Sequence, residues 1–98
     1  MAELRFNRKV PAELRGALLF YEDVAGVELA DAFYNELMIR LQQVQENPTR
    51  FPFFERDIRR ANLNRFPYHF LYRITSRCVR ILVLKHDHRD PKYGIQRR

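Results

Sequence analysis

Three side chains in the C-terminal half could take part in acid–base or phosphate chemistry. His86 is the best candidate for a general acid or base, because histidine is the side chain that gains and loses a proton near neutral pH. Arg65 and Arg80 are the best candidates to hold a phosphate, because a guanidinium donates paired hydrogen bonds to phosphate oxygens. Each has a structural alternative that the sequence leaves open: a histidine bonded to backbone at a strand end, or arginines that are solvated or contact a protein partner.

The spacing of His86 and His88 could also suggest a metal site, since side chains two residues apart on a strand point the same way. A zinc site needs three or four ligands, however, and the sole cysteine, Cys78, lies far along the same strand. We therefore expect no metal and no cofactor. Cys78 has no partner for an internal disulfide, and we expect it to be a small buried apolar residue.

The positive charge of the chain is concentrated in its second half. The net charge is +6, and residues 51–98 carry twelve Lys and Arg against four acids, whereas residues 1–50 carry six against eight. Such asymmetry is typical of a surface that binds anions. A solvated basic face without a dedicated ligand is the alternative. The candidate contacts to nucleic acid or another acidic target are Arg60, Arg65, Arg73, Arg80, Lys85 and Arg89.

The elements that must position these side chains follow from the apolar spacing. Residues 2–6 alternate as in a short half-buried strand. Apolar residues at three- and four-residue spacing predict two amphipathic helices, one from about Pro11 to 23–26 and one from Val27 to about Asn47. Their short connection predicts an antiparallel helix hairpin. The next stretch, 48–58, is predicted to be an ordered crossover whose phenylalanines Phe51, Phe53 and Phe54 fill the core.

After the crossover the period changes to two, which is typical of strands. We predict strands over 59–65, 66–75 and 78–85, with a tight turn at 75–77 and a polar tail over 86–98. The strand over 78–85 is apolar on both faces and should therefore be central. In the strand over 66–75, one face carries Phe66, Tyr68, Phe70, Tyr72 and Ile74, and the other carries His69, Leu71 and Arg73.

The resulting order, β-α-α-β-β-β over residues 1–98, predicts a single α+β domain. The helix hairpin should pack on one face of a mostly antiparallel sheet. The other face should then display Arg73, Arg80 and His69 as a basic stripe. The N-terminus does not read as a signal peptide, and no apolar run reaches the roughly 18 residues of a membrane span. We therefore expect a cytoplasmic protein without a membrane segment.

One group of sequence features occurs in the same order in a known family. Residues 66–72 (FPYHFLY) form an aromatic-Pro-Tyr strand with a second tyrosine. A strand bearing Arg60 and Arg65 precedes it, and the apolar strand 79–84 follows and continues into the polar residues 86–91. In this order and at this chain length, the features resemble the ParE/RelE superfamily of toxins from type II toxin–antitoxin modules. The resemblance covers nearly the whole chain and implies the RelE/ParE-like fold.

The resemblance implies a growth-inhibiting toxin that a cognate antitoxin neutralises, in a possible hetero-oligomer of the two proteins. ParE-like members inhibit DNA gyrase and are not known as nucleases, whereas RelE-like members are metal-independent endoribonucleases that cut mRNA on the ribosome. Whether the chain is an enzyme therefore depends on the subfamily. The chain has only three lysines, and the pattern of residues 86–91 looks more like the ParE-like members, which we favour. A basic nucleic-acid-binding module without toxicity is a further alternative.

The resemblance also assigns roles to individual residues. If the chain is RelE-like, His86, Arg80, Arg65 and Tyr93 are the implied catalytic residues, with Tyr93 positioning or stacking on a nucleotide. If it is ParE-like, the basic residues named above contact the target instead. In both cases we expect a partly helical, acidic antitoxin segment along the groove between the helix hairpin and the sheet.

Overall fold

The computed structural model describes all residues 1–98 and contains two helices and one five-stranded sheet. The elements are β1 (Leu4–Phe6), α1 (Val10–Ala25), α2 (Val27–Glu46), β2 (Phe53–Glu55), β3 (Ile58–Asn62), β4 (Tyr68–Ile74) and β5 (Val79–His86). The strand order across the sheet is β1-β5-β4-β3-β2. Only the β1–β5 pair is parallel, so the predicted α+β fold with a mostly antiparallel sheet is confirmed.

The helix hairpin forms as predicted, and one glycine makes its sharp connection. Pro11 lies in the first turn of α1, where a missing N–H removes no helical hydrogen bond. Gly26 separates the helices with φ of 91°, a conformation that side chains with a Cβ rarely adopt. Its N–H donates to the carbonyl of Glu22 and so closes the last turn of α1. The chain can therefore reverse within one residue.

The helices bury an aromatic core against one face of the sheet. Phe33 of α2 is 0% exposed, and its ring contacts the rings of Tyr21, Phe66 and Tyr68 at centroid distances of 5.1 to 5.4 Å. Tyr72 is also buried, and its hydroxyl donates a 2.6 Å hydrogen bond to the carbonyl of Pro48. Burial raises the pKa of Tyr72 to about 12. These tyrosines belong to the core, as the alternation of β4 predicts.

A β-bulge explains why β5 is apolar on both faces. Leu71 pairs with Val83 and Tyr72 with Ile81, so Leu82 is an extra residue on β5. The bulge turns both Leu82 and Val83 to the face away from the helices, where they join Leu71 in a second apolar cluster. The predicted central position of β5 is correct, since it lies between β1 and β4.

The structure corrects the prediction for the C-terminal residues. Residues 86–98 are not simply a polar tail, because Tyr93 and Ile95 pack on the second apolar cluster. Gly94 is buried between them with φ of 86°, and a Cβ at this position would lie 2.6 Å from the Cβ of Val83. The C-terminal segment therefore covers the middle of the outer face of the sheet, defined here as the face away from the helices.

The crossover and the next strand also differ from the predictions. Residues 53–55 form an additional edge strand, β2, and β3 ends at Asn62 rather than at residue 65. The three phenylalanines of the crossover separate: Phe51 packs beside the helix-side core, Phe54 beside the outer-face cluster, and Phe53 is 60% exposed beneath Arg59. They do not fill one core together. Neither helix has the length and apolar character needed to cross a membrane.

Candidate functional site

A cleft beside the end of β5 brings together several of the side chains selected from the sequence. It has a volume of about 200 Å³ and lies between α1, β5 and the C-terminal segment. His86 contacts the ring of Tyr68 at its base, and Arg89 stacks on Tyr93 with 3.9 Å between the guanidinium carbon and the ring centroid. His86 Nδ1 accepts a 3.0 Å hydrogen bond from the N–H of His88. The cleft residues are Glu13, Gly16, Ala17, Tyr68, Leu84, Lys85, His86, Arg89 and Tyr93.

Lys85, one of the candidate target contacts, is a structural anchor in this conformation. The residue is 4% exposed, and its Nζ donates to the carbonyls of Asp90, Pro91 and Tyr93 at 3.0 to 3.2 Å. Burial, together with the positive charge of Arg60, lowers the pKa of Lys85. All three protons of the ammonium group are used by backbone, so its charge is not free to pair with an anion.

His69 is buried rather than displayed on the outer face, so that prediction is wrong. It is 2% exposed, and its Nδ1 lies 2.7 Å from Oδ1 of Asp87. Arg60 approaches the same carboxylate at 3.5 Å. Burial lowers the pKa of His69 more than the hydrogen bond to Asp87 raises it. Because a carboxylate accepts hydrogen bonds, Nδ1 is the donor to Asp87, and Nε2 has no hydrogen-bond partner.

Arginines from three adjacent strands line up at the opposite end of the outer face. Arg5, Arg80 and Arg73 occupy paired positions on β1, β5 and β4. Arg5 bonds to Glu3, and Arg73 to Asp57, while Arg80 and Arg77 have no acidic partner. Arg5, Arg77 and Arg80 line a cleft of about 660 Å³, and the partly exposed Cys78 lies there too, not buried as expected. This arginine row, as we call Arg5, Arg73, Arg77 and Arg80, can receive an anionic group.

The four residues implied as catalytic for a nuclease do not share one centre. Arg80 and His86 lie six residues apart on β5, which at about 3.3 Å per residue is roughly 20 Å. Their side chains also point to opposite faces of the sheet, because His86 contacts Tyr68 on the helix side. Arg65 lies elsewhere again, near Glu28 and Leu29 at the start of α2. Of the four, only His86 and Tyr93 line the same cleft.

The sequence analysis missed the residue that organises this region, Glu13. Its Oε1 accepts from the N–H of Leu84, and its Oε2 lies 2.7 Å from Arg97 and 3.1 Å from the hydroxyl of Tyr93. Arg97 also donates to the carbonyl of Leu82. Because β1 pairs with β5 only as far as Ile81, the carbonyl of Leu82 and the N–H of Leu84 have no strand partner there. The side chains of Arg97 and Glu13 bond to them instead. No spacing in the sequence signals contacts between residues 71 to 84 positions apart.

An apolar groove lies on the helix side. It opens between α1 and α2, with side chains of β4 and β5 as its floor, and has a volume of about 220 Å³. At its rim, Phe6 is 45% and Tyr34 43% exposed. Ten of its eleven residues are hydrophobic, and the full lining is Phe6, Val10, Pro11, Leu14, Tyr34, Leu37, Met38, Leu41, Phe70, Ile81 and Leu84. The groove is open where the two helices diverge, away from Gly26.

The layers and strand order define the ParE/RelE-like fold, as the resemblance implied. Among solved structures, the chain is similar to a chain of the chromosomal ParDE TA system from P. aeruginosa, with a TM-score of 0.77 at 21% sequence identity. The similarity covers 88% of this chain and 96% of that chain. No protein-family model and no curated protein sequence matches. The side chains form no group of three or more His, Cys, Asp or Glu that could hold a metal ion.

Proposed function

We propose that the chain is the toxin of a type II toxin–antitoxin module and is of the ParE type. The observation that carries the proposal is the likeness of fold to a chain of a ParDE system, which extends over almost the full length of both chains. A fold can host several functions, so the choice of target is argued from the site.

We propose further that the target is DNA gyrase and that the toxin acts by binding rather than by cutting. RNA cleavage without a metal requires an acid, a base and fixed cations around one phosphate. Here the arginine row and His86 lie roughly 20 Å apart along β5, at about 3.3 Å per residue. Of the cations selected from the sequence, Lys85 is held by backbone carbonyls. This distribution favours a contact surface over a catalytic centre.

The apolar groove supports a cognate antitoxin as the partner. Its residues are almost all hydrophobic, and one side of an amphipathic helix could bury its apolar residues there. An antitoxin segment with acidic residues would also be attracted by the net charge of +6. We propose that this segment occupies the groove between α1 and α2, next to the edge strand β1.

A growth experiment with two readouts tests the toxin proposal. The chain is expressed from an inducible promoter, with and without the product of the adjacent small open reading frame. We expect growth arrest, loss of negative supercoiling in a reporter plasmid and a DNA-damage response, with intact mRNA. Discrete new mRNA 5′ ends with normal supercoiling would instead support the RelE-like alternative, for which the cleft with His86, Arg89 and Glu13 is the candidate centre. Normal growth in both cultures would contradict a toxin.

A pair of matched variants on α2 tests the antitoxin groove. Tyr34→Glu places a charge at the rim of the groove, whereas Ile39→Glu places one at an exposed apolar position of the same helix outside it; the two side chains are 43% and 55% exposed. We expect Tyr34→Glu to weaken co-purification with the antitoxin at least about tenfold and Ile39→Glu to leave it unchanged. Equal effects of the two variants would exclude the groove as the binding site.

A second pair tests the arginine row as the target surface. The double variant Arg77→Ala/Arg80→Ala removes two cations that have no acidic partner, and Arg50→Ala removes one in the loop after α2. We expect the double variant to abolish inhibition of purified gyrase while still binding antitoxin, and Arg50→Ala to inhibit normally. Full inhibition by the double variant would place the target contacts elsewhere.

A further inference from the structure

Helix α1 exposes an apolar face that no part of the chain covers. Leu19, Phe20 and Val24 are 59%, 56% and 63% exposed, and Val27 at the start of α2 is 58% exposed. The residues of α1 that line the apolar groove, Val10, Pro11 and Leu14, lie on another side of the helix. We call Gly16, Leu19, Phe20 and Val24 the α1 ridge. Apolar side chains so close together on a surface are typical of a protein contact.

Gly16 leaves the surface of α1 low at the edge of the cleft beside the end of β5. It lies in the middle of α1, where glycine destabilises a helix by roughly 0.5–1 kcal/mol relative to alanine. Its φ is not in the left-handed region, and a Cβ built on it would meet no atom within 4 Å. Neither the backbone conformation nor a close neighbour therefore requires a glycine here, and its missing side chain leaves a shallow depression at the mouth of that cleft. Such a depression admits a side chain from outside.

The charges on α1 are arranged against the helix dipole. Lys9 caps the N-terminal end and Arg15 lies in the second turn, whereas acidic residues stand in the last turn (Glu22, Asp23), which has no basic residue. This is the reverse of the arrangement that stabilises an isolated helix. Glu13, in the first turn, is bonded to Leu84 and Arg97 and does not belong to the exposed face. Two such helices side by side and antiparallel would, however, be complementary in charge.

We propose that the α1 ridge is a self-association surface on which a second copy of this chain packs its α1 antiparallel across a two-fold axis near Leu19. At 100° per residue, Arg15 and Glu22 lie within about 20° of each other around the helix. In an antiparallel pair related by a two-fold axis, this side of each helix lies on the same side of the contact. Arg15 of each copy therefore meets Glu22 of the other. On the other side of the ridge, the ring of Phe20 from one copy sits on Gly16 of the other.

The contact is small, and the affinity follows from its size. A helix of 16 residues is roughly 24 Å long at 1.5 Å per residue. A single helix pair of this length buries less than the roughly 1,600 Å² of a standard stable interface. We therefore expect a concentration-dependent dimer with a dissociation constant in the micromolar range, formed by the free chain whatever its cellular target.

Substitution of Gly16 distinguishes a role in the dimer contact from a role in the stability of the monomer. We expect sedimentation velocity of the purified chain, from about 1 µM to 1 mM, to show a monomer–dimer equilibrium. Gly16→Gln should raise the melting temperature of the dilute monomer, because glutamine is a better helix former, and should weaken dimerisation at least about tenfold. Ile39→Gln, a change at an exposed apolar residue on α2, should leave dimerisation unchanged. A wild-type chain that is monomeric at 1 mM would overturn the proposal.

Charge reversal tests the orientation of the two helices. Arg15→Glu and Glu22→Arg should each weaken dimerisation about tenfold, because each creates two like-charge contacts across the two-fold axis. The double variant Arg15→Glu/Glu22→Arg should recover wild-type dimerisation. An equimolar mixture of the single variants should form a heterodimer, because both of its contacts between residues 15 and 22 then join opposite charges. A double variant as weak as the singles would exclude the antiparallel two-fold arrangement. So would protection of the ridge in hydrogen exchange only when antitoxin is present.

Discussion

The two faces of the sheet are built in different ways. The helix face is covered by two helices and holds the larger apolar cluster of 16 buried residues, while the outer face holds four and is covered by the C-terminal segment. On the helix face, aromatic rings pack on one another. On the outer face, a few polar anchors hold the cover in place: the ammonium of Lys85 and the carboxylate of Glu13.

The difference indicates where stability and function reside. Burial of apolar area is the main favourable term in folding, so the helix face should determine whether the chain folds at all. The outer face has its exposed cations at one end and its buried ionisable groups at the other. We therefore expect changes on the helix face to unfold the protein, and changes on the outer face to release the C-terminal segment locally.

The largest effect is expected from truncation of the central ring of the helix face. Phe33→Ala removes a fully buried ring in contact with Tyr21, Phe66 and Tyr68, and should lower the free energy of unfolding by about 3–5 kcal/mol. Urea denaturation measures the change. The control is Phe53→Ala, since Phe53 is 60% exposed and should cost below about 1 kcal/mol. Similar losses in the free energy of unfolding for the two variants would contradict the inference that the helix face contributes most of the stability.

The next effect concerns the fit of the C-terminal segment on Val83. Gly94→Ala combines a left-handed φ of 86° with a Cβ 2.6 Å from that of Val83, and should cost roughly 2–4 kcal/mol. Gly26→Ala is the control, because Gly26 also has a positive φ of 91° but open space around it, and should cost roughly 1–3 kcal/mol from backbone strain alone. Hydrogen exchange should show faster exchange of residues 93–97 only in Gly94→Ala. Unchanged exchange there would mean that the segment is not held by this contact.

These two regions also differ in how much of them the sequence could predict. The helix hairpin, the central β5 and the side of the sheet to which Tyr68 and Tyr72 point follow from local periodicity, which residues close in the chain determine. The position of the C-terminal segment on the outer face does not follow from local periodicity. It depends on the bulge at Leu82 and on contacts of Glu13 with residues far away in the chain. Neither feature produces a recognisable spacing of residues in the sequence.

The candidate site shows the same division. The sequence identified its basic residues, and Arg73 and Arg80 lie on the outer face as predicted. Their grouping was not predictable, because β5 is long enough to separate Arg80 from His86, and the segment after β5 folds back over Lys85. A buried lysine and a buried histidine look the same in sequence as exposed ones.

A moderate effect is expected from removal of the charged anchor on the outer face. Lys85→Met keeps the length of the side chain but leaves the carbonyls of Asp90, Pro91 and Tyr93 without their donor, and should cost about 1–3 kcal/mol. Lys92→Met, at an exposed lysine of the same segment, should change the free energy of unfolding by below about 0.5 kcal/mol. Thermal denaturation at fixed pH measures both. Equal melting temperatures of the two variants would show that the three hydrogen bonds contribute nothing net.

The smallest effect is a dependence of stability on pH between 7.5 and 5.0, which arises from His69 on the outer face. The unfolded chain binds a proton at His69 near pH 6.5, its ordinary pKa, whereas burial lowers the pKa in the folded protein despite Asp87, with Arg60 and Lys85 adding to the lowering. The unfolded state therefore binds more protons as the pH falls below about 6.5, and stability falls with it, by at most about 1.4 kcal/mol per pH unit. His69→Gln should reduce the loss of melting temperature between pH 7.5 and 5.0.

The control for this prediction uses the two other histidines. His86→Gln and His88→Gln make the same substitution at side chains that are partly or fully exposed, and should change the melting temperature at pH 7.5 less than His69→Gln does. A wild-type slope in His69→Gln would mean that the folded protein protonates His69 as readily as the unfolded chain does. The pair with Asp87 would then outweigh burial, and this end of the outer face would be a solvated ion pair rather than part of the packed cover.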